Sequence, residues 1–227
     1  MSKYAWPLPW GVQSFQMRVV PNVRAFRGPY TPTVQTIDLL GEVWLISFEL
    51  PPGNDPIVAG QREAFFDRLL GPVNLIELWN LQRPVPLGTI TSGAPVQVVN
   101  TALQPVQVVN AALQPVAVIS RSPQLVAAAP KGAGSVQMRN PAGKTIEAGD
   151  MLGLGGQLVR AMDRAVFDAN GVATVEFLPR LRKALPALTE VVINRPTATF
   201  EVRGEGVPVV HRPGMHEGSA LELIERI

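Results

Sequence analysis

The chain reads as a mainly β protein, with two β-sandwich or barrel-like subdomains and one short helix in the N-terminal half. Three observations carry that reading. Twenty Gly and 22 Pro in 227 residues impose frequent turns and leave room for short strands between them. Apolar and polar residues alternate between those turns, as in Phe15-Gln16-Met17-Arg18-Val19, the pattern of a strand with one buried face. Gly155-Gly156 and Asn170-Gly171 then supply the residues that tight hairpins require.

Taken in order, residues 12–50 are strands. Thr36–Leu40 and Val43–Leu50 are separated by Gly41-Glu42, which predicts an antiparallel hairpin, and the second run puts Trp44, Ile46 and Phe48 on one face. A helix is predicted over about 56–70. Asp55 caps it, Pro56 suits its first turn and Gly71 its C-terminal stop. Its apolar face is Phe65, Phe66, Leu69 and Leu70, opposite Arg62, Glu63 and Asp67. Val73–Trp79 returns to strand. These elements make an N-terminal subdomain, 1–90.

Residues 91–134 form a connecting segment that holds three near-copies of a ten-residue unit, beginning at Pro95, Pro105 and Pro115. Proline lacks a backbone N–H and disfavours helix, so each Val-rich copy reads as strand and turn. Three copies are too few for a solenoid. They read as an elongated β excursion or extended linker, open to pairing with a neighbouring subunit. A chain that tolerates duplicated strands at its centre is a building part more readily than an enzyme with a fixed pocket.

Residues 135–227 form the C-terminal subdomain. Met151–Val159 is two short runs around Gly155-Gly156, and Asp168-Ala169-Asn170-Gly171 leads into the strand Ala173–Phe177. Glu190–Ile193 and Thr197–Val202 are further strands, and Ser219–Ile227 is a last strand or a short helix.

Composition excludes several functions. Hydrophobic residues at 46% argue against disorder, while charged residues at 17% fall below the ~25% usual in soluble domains. So sparse a charge suggests a surface covered by copies of the chain or by partners. The net charge of +2 carries no basic block, so no specific nucleic-acid partner is expected. There is no Cys, hence no disulfide, thiolate metal site or cysteine nucleophile. No apolar run nears the ~18 residues that span a bilayer, and Pro7 and Pro9 interrupt the place of a signal-peptide core. Use or assembly in the cytosol follows as an expectation, without membrane insertion.

Motifs that hint at chemistry fail in turn. Gly143-Lys144-Thr145 has Met138 where a phosphate loop needs glycine. Gly153-Leu154-Gly155-Gly156 lacks the third glycine and following helix of a dinucleotide site and reads as a hairpin. Asp168–Gly171 lacks the flanking oxygen ligands of a calcium loop. His211 and His216, on either side of Pro213-Gly214, have no third ligand nearby. No nucleophile elbow accompanies them, and Asp55 and Asp168 sit in capping and turn positions. No catalytic, cofactor or metal residue is assigned, and no enzyme is expected.

An ordered series of short segments remains. Trp6-Pro7, Ser14-Phe15, Pro29-Tyr30-Thr31, Gly41-Glu42-Val43-Trp44 and Leu50-Pro51-Pro52 precede Arg68–Asn74 and Pro86–Thr89. Lys131–Ser135, Ala148-Gly149-Asp150 running into Met151–Val159, Asp168–Phe177 and Leu178-Pro179-Arg180-Leu181-Arg182 follow. In this order the chain resembles the distal tail proteins of tailed bacteriophages, with the decapeptide repeats as a departure. The resemblance implies a structural virion protein of the tail tip or baseplate, assembled in the host cytoplasm. It implies a ring of identical subunits, commonly six, that joins the tail tube protein to the hub, tip and fibre proteins. Arg180, Arg182 and Lys183 are candidates to pair across such an interface or to be solvated. The competing reading is a carbohydrate-binding β-sandwich on a virion or cell surface, in which Trp44 and Trp79 stack on sugar. Trp44, on an alternating strand face, reads first as core. An enzyme would instead show itself through Asp150 or Asp168.

Overall fold

A computed structural model of the chain describes residues 2–7, 10–27, 34–39, 41–90, 122–204, 207, 209–212 and 215–226. The three decapeptide copies lie outside these apart from the end of the third. The protein is mainly β, with one helix, Pro56–Leu69, among the described residues. Among the described residues, twelve of its strands form two six-stranded sheets, each with its own core, and six more form three two-stranded ribbons.

The first sheet runs in the order Lys3–Ala5, Leu75–Leu78, Ala198–Val202, Ala220–Glu225, Val43–Glu49, Ser14–Val20. Its first pair is parallel and the others antiparallel. Val43–Glu49 buries Trp44, Ile46 and Phe48 at 0–1% exposure, beside Leu221, Leu223 and Phe200 from neighbouring strands. Each such side chain contributes roughly 1.5–3 kcal/mol. The helix closes this core with Phe66 and Leu69. Asp55 caps it by accepting the Ile57 N–H at 2.8 Å, and Leu70 ends it in a left-handed conformation just before Gly71.

The second sheet runs Val191–Val192, Met151–Leu154, Gln157–Ala161, Val172–Leu178, Ser135–Arg139, Gln124–Leu125 and is antiparallel throughout. Val175 lies opposite Val136 and Ala173 opposite Met138, so two alternating strands aim their apolar residues into one core. Gly155 and Gly156, both at positive φ, turn Met151–Leu154 into Gln157–Ala161 as expected. The Asp168 carboxylate accepts the Asn170 and Val172 N–H groups, which fixes the next turn. Gly171 there has φ +70, and a Cβ would stand 2.5 Å from the Asn140 carbonyl oxygen.

Three sequence expectations change. Gly41-Glu42 does not close a hairpin. Val43–Glu49 pairs instead with Ser14–Val20, and Val34–Asp38 pairs with Val23–Arg27. The two ladders follow one another, broken at Pro21, which lacks an N–H, on one side and at Gly41, with φ +91, on the other. On the helix, Arg62 is buried and Leu70 is 64% exposed, the reverse of the expected faces. The Arg62 guanidinium donates to the Pro51 carbonyl at 2.7 Å, which makes its burial tolerable. Lastly, Ala198–Val202 and Ala220–Glu225, grouped by sequence with the C-terminal half, complete the first sheet. Leu221 and Leu223 alternate into that sheet's core, where an unfilled central position would expose both edges.

Replacing Gly171 by Ala is expected to cost about 2 kcal/mol or more, from backbone strain and the clash with the Asn140 carbonyl. Chemical denaturation of the variant against the parent chain checks it.

Candidate interaction surface

The period of a strand determines which residues must be neutralised inside. In Ala220–Glu225, Leu221, Leu223 and Glu225 share the inward face, so the carboxylate of Glu225 is 2% exposed. Arg182, from the other lobe, meets it with both terminal nitrogens, Nη1 at 2.8 Å from Oε1 and Nη2 on Oε2. The Trp44 N–H also donates to Oε2, at 3.1 Å, and Arg182 Nη2 donates to the Glu42 carbonyl at 3.0 Å. A buried carboxylate with two guanidinium bonds and one backbone donor is well compensated.

The same junction holds further bonds between lobes. The Trp44 indole Nε1–H donates to the Leu158 carbonyl at 2.8 Å. The Arg160 guanidinium lies 4.8 Å above that ring and donates to the Met17 carbonyl at 3.2 Å. Burial, and then the positive charge of Arg83, lower the Arg160 pKa from its ordinary value. Gln157 accepts from the Arg182 N–H and donates to the Arg180 carbonyl, fixing the segment that carries both arginines. Met151 and Leu158 enter the first lobe's core. The two sheets are therefore joined by apolar and polar contacts together.

Among the described residues, two ribbons contribute no side chain to either core, the small one of His211–Arg212 with Met215–His216 and a longer one. The ribbon Val23–Arg27 with Val34–Asp38 forms a sheet of its own. Phe26 faces Gln35 and Ile37 faces Arg24, so Phe26 and Ile37 are diagonal neighbours on one face. They are 52% and 49% exposed, and Val23 and Leu39 at the ribbon's base are 46% exposed each. A two-stranded ribbon is marginal by itself. Its base is held by an ion pair of Asp38 with Arg180 at 3.0 Å. Beside that pair a groove of about 520 Å³ runs past Lys131, Gly132 and Leu181.

The basic cluster read from the sequence is thus divided. Arg180 and Arg182 form ion pairs within the chain, and Lys183 is exposed. Trp44 is fully buried, which removes it as a sugar platform, while Trp79 is half-buried on a groove wall. Asp150 is 1% exposed and accepts the N–H groups of Leu87 at 2.6 Å, Gly88 at 3.1 Å and Glu147 at 2.9 Å. It clamps the chain leaving the first lobe onto the second. Gly143 sits in a turn with φ +76, and the Thr145 hydroxyl bonds to Thr89. His216 is buried against Arg62, Nη1 to Nε2 3.1 Å, and His211 meets the Glu63 carboxylate at the surface. Burial also lowers the Arg62 pKa. Among the described residues no group of three His, Asp or Glu side chains is placed to hold a metal ion. No helix among them is long and apolar enough to cross a membrane.

The roles of Glu225 and Gln157 have no counterpart in the sequence reading, and Arg62 is placed there on the polar helix face. A signal existed for Glu225 alone, since strict alternation from Leu221 and Leu223 carries it inward.

Arg182→Ala, which strands a buried carboxylate, should cost about 3–5 kcal/mol, whereas the double variant Arg182→Met/Glu225→Leu should recover most of it. Urea unfolding of the three proteins measures both.

A comparison with models of known protein families gives no match, and no curated protein sequence matches the chain.

Proposed function

We propose that the protein is a structural component of a phage tail tip, a distal tail protein that assembles as a ring between the tail tube and the hub. The ordered series of segments, from Trp6-Pro7 to Arg180-Leu181-Arg182, supports the family. The observation that carries the assembly is the ribbon, which joins neither six-stranded sheet and leaves Phe26 and Ile37 exposed on one face. An apolar face on a marginal element is stabilised by a neighbour's surface. When each identical copy offers its ribbon to the next, the contact is head-to-tail and closes into a ring if the rotation allows. The second ladder, Ser14–Val20 with Val43–Glu49, extends the ribbon into the first lobe. Tension on the ribbon would pass through main-chain hydrogen bonds into the core of its own subunit.

The work of such a protein is geometric rather than catalytic. Asp150 spends both carboxylate oxygens on backbone N–H groups, and Asp168 spends its Oδ1 on two more. The fused lobes provide a stiff segment of ring, with faces for the tube protein on one side and for hub and fibre proteins on the other. Assembly in the host cytoplasm and residence in the virion follow from that role.

Light scattering and negative-stain images of the purified chain should show a closed ring, commonly of six copies. Phe26→Asp/Ile37→Asp should leave the melting temperature within a few degrees and reduce the mass to that of one chain. An unchanged ring in this variant would remove the ribbon from the interface. A parent chain monomeric across the micromolar range, alone and with tube protein added, would sink the reading.

A further inference from the structure

We propose that a groove on the first lobe, walled by Trp10, Trp79 and Arg195, binds a saccharide carrying an anionic group. The site is separate from the ribbon, so it stands or falls independently of ring assembly.

The groove has a volume of about 430 Å³, within the range of small-ligand sites. Its floor is rigid. Trp6, 3% exposed, makes edge-to-face contacts with Phe48 at 4.9 Å, Phe65 at 5.8 Å and Trp10 at 5.6 Å between ring centroids. Trp10 in turn meets Phe65 edge-on at 5.3 Å. These contacts hold Trp10 in one orientation while leaving it half-buried on the wall. The opposite wall is equally fixed. Asn80 Oδ1 accepts the N–H groups of Gln82 and Arg83, and the Arg195 N–H donates to the Pro84 carbonyl at 2.7 Å. Arg195 takes φ +46, a conformation that side chains other than glycine rarely adopt. It places the guanidinium 5.5 Å over the Trp79 ring.

The chemistry of the lining selects the ligand. Half-buried indoles offer flat apolar surface, and the exposed amides of Gln13 and Gln82 stand at the rim. A sugar ring presents the matching surface, an apolar C–H face edged with hydroxyls. A wholly apolar ligand would leave the amides and the guanidinium without hydrogen bonds, which is costly. Among the described residues of the lining, Arg195 is the one charged side chain. A single cation with no carboxylate beside it favours an anionic group on that sugar. A nucleic-acid strand would need a track of cations along its phosphates, and this groove has one.

The test uses the full chain, titrated with trigalacturonate and with neutral maltotriose and read by tryptophan fluorescence and calorimetry. Trigalacturonate should bind at least about tenfold tighter than maltotriose, the difference one charge-assisted contact supplies. That preference should shrink in high salt. Arg195→Gln, at an exposed position, should abolish the preference without changing the melting curve, and Trp10→Phe should weaken both sugars. Absence of binding by the acidic sugar overturns the proposal. So does equal affinity for the two sugars, or acidic binding that Arg195→Gln leaves intact. These outcomes are read on any assembly state, so they are distinguishable from failure of the ring.

Discussion

The fold turns on one buried ion pair. Glu225 is carried into the interior by the alternation of its strand, and Arg182, from the other lobe, neutralises it. A buried carboxylate without its partner is strongly unfavourable, so the final strand and the second lobe stabilise each other. Trp44 sits at the same place, giving its N–H to Glu225 and its indole to Leu158, under the Arg160 guanidinium. Hydrophobic burial alone would let two such lobes slide. A two-point guanidinium contact and a directed indole bond specify one arrangement.

The local structure was largely legible because it follows from local rules. Asp55, Pro56 and Gly71 delimit the helix by capping chemistry that acts within a turn, and Gly155-Gly156 forms its hairpin because two positive φ angles suit glycine. The misreadings are all non-local. Gly41-Glu42 looked like a hairpin because two strands flank it, yet Ser14–Val20 offered Val43–Glu49 a full seven-residue ladder. Arg62 looked like a solvated helix face because its acceptors, Pro51 and His216, lie 11 and 154 residues away. On the candidate surfaces, the sequence predicts a strand at Thr36–Leu40, which overlaps the ribbon's strand Val34–Asp38, but not its exposure. Exposure depends on what fails to pack, and period two does not report that.

The two lobes are also tied at the exit from the first. Asp150 binds the backbone of Leu87 and Gly88, and a Cβ on Gly88 would lie 2.2 Å from the Thr145 carbonyl oxygen. Ile90 then enters the second core, and Leu125 does so on the far side of the repeats. Both flanks of the duplicated segment are thus fastened to the same core. The closure entropy of a loop between fixed ends grows only slowly with its length. Duplication is tolerated at this point for that reason.

The order of strands in the first sheet bears on how the chain is made. Ala198–Val202 and Ala220–Glu225 lie between Leu75–Leu78 and Val43–Glu49, so the first sheet stays split until Ala220–Glu225 has left the ribosome. The second lobe, contiguous from residue 122 to 193, can close earlier. Contacts this distant in sequence form slowly, and apolar edges wait exposed meanwhile. A chain stopped before Ala220 would lack the strand that joins the halves of the sheet, and a cell's quality-control proteases would meet an open core.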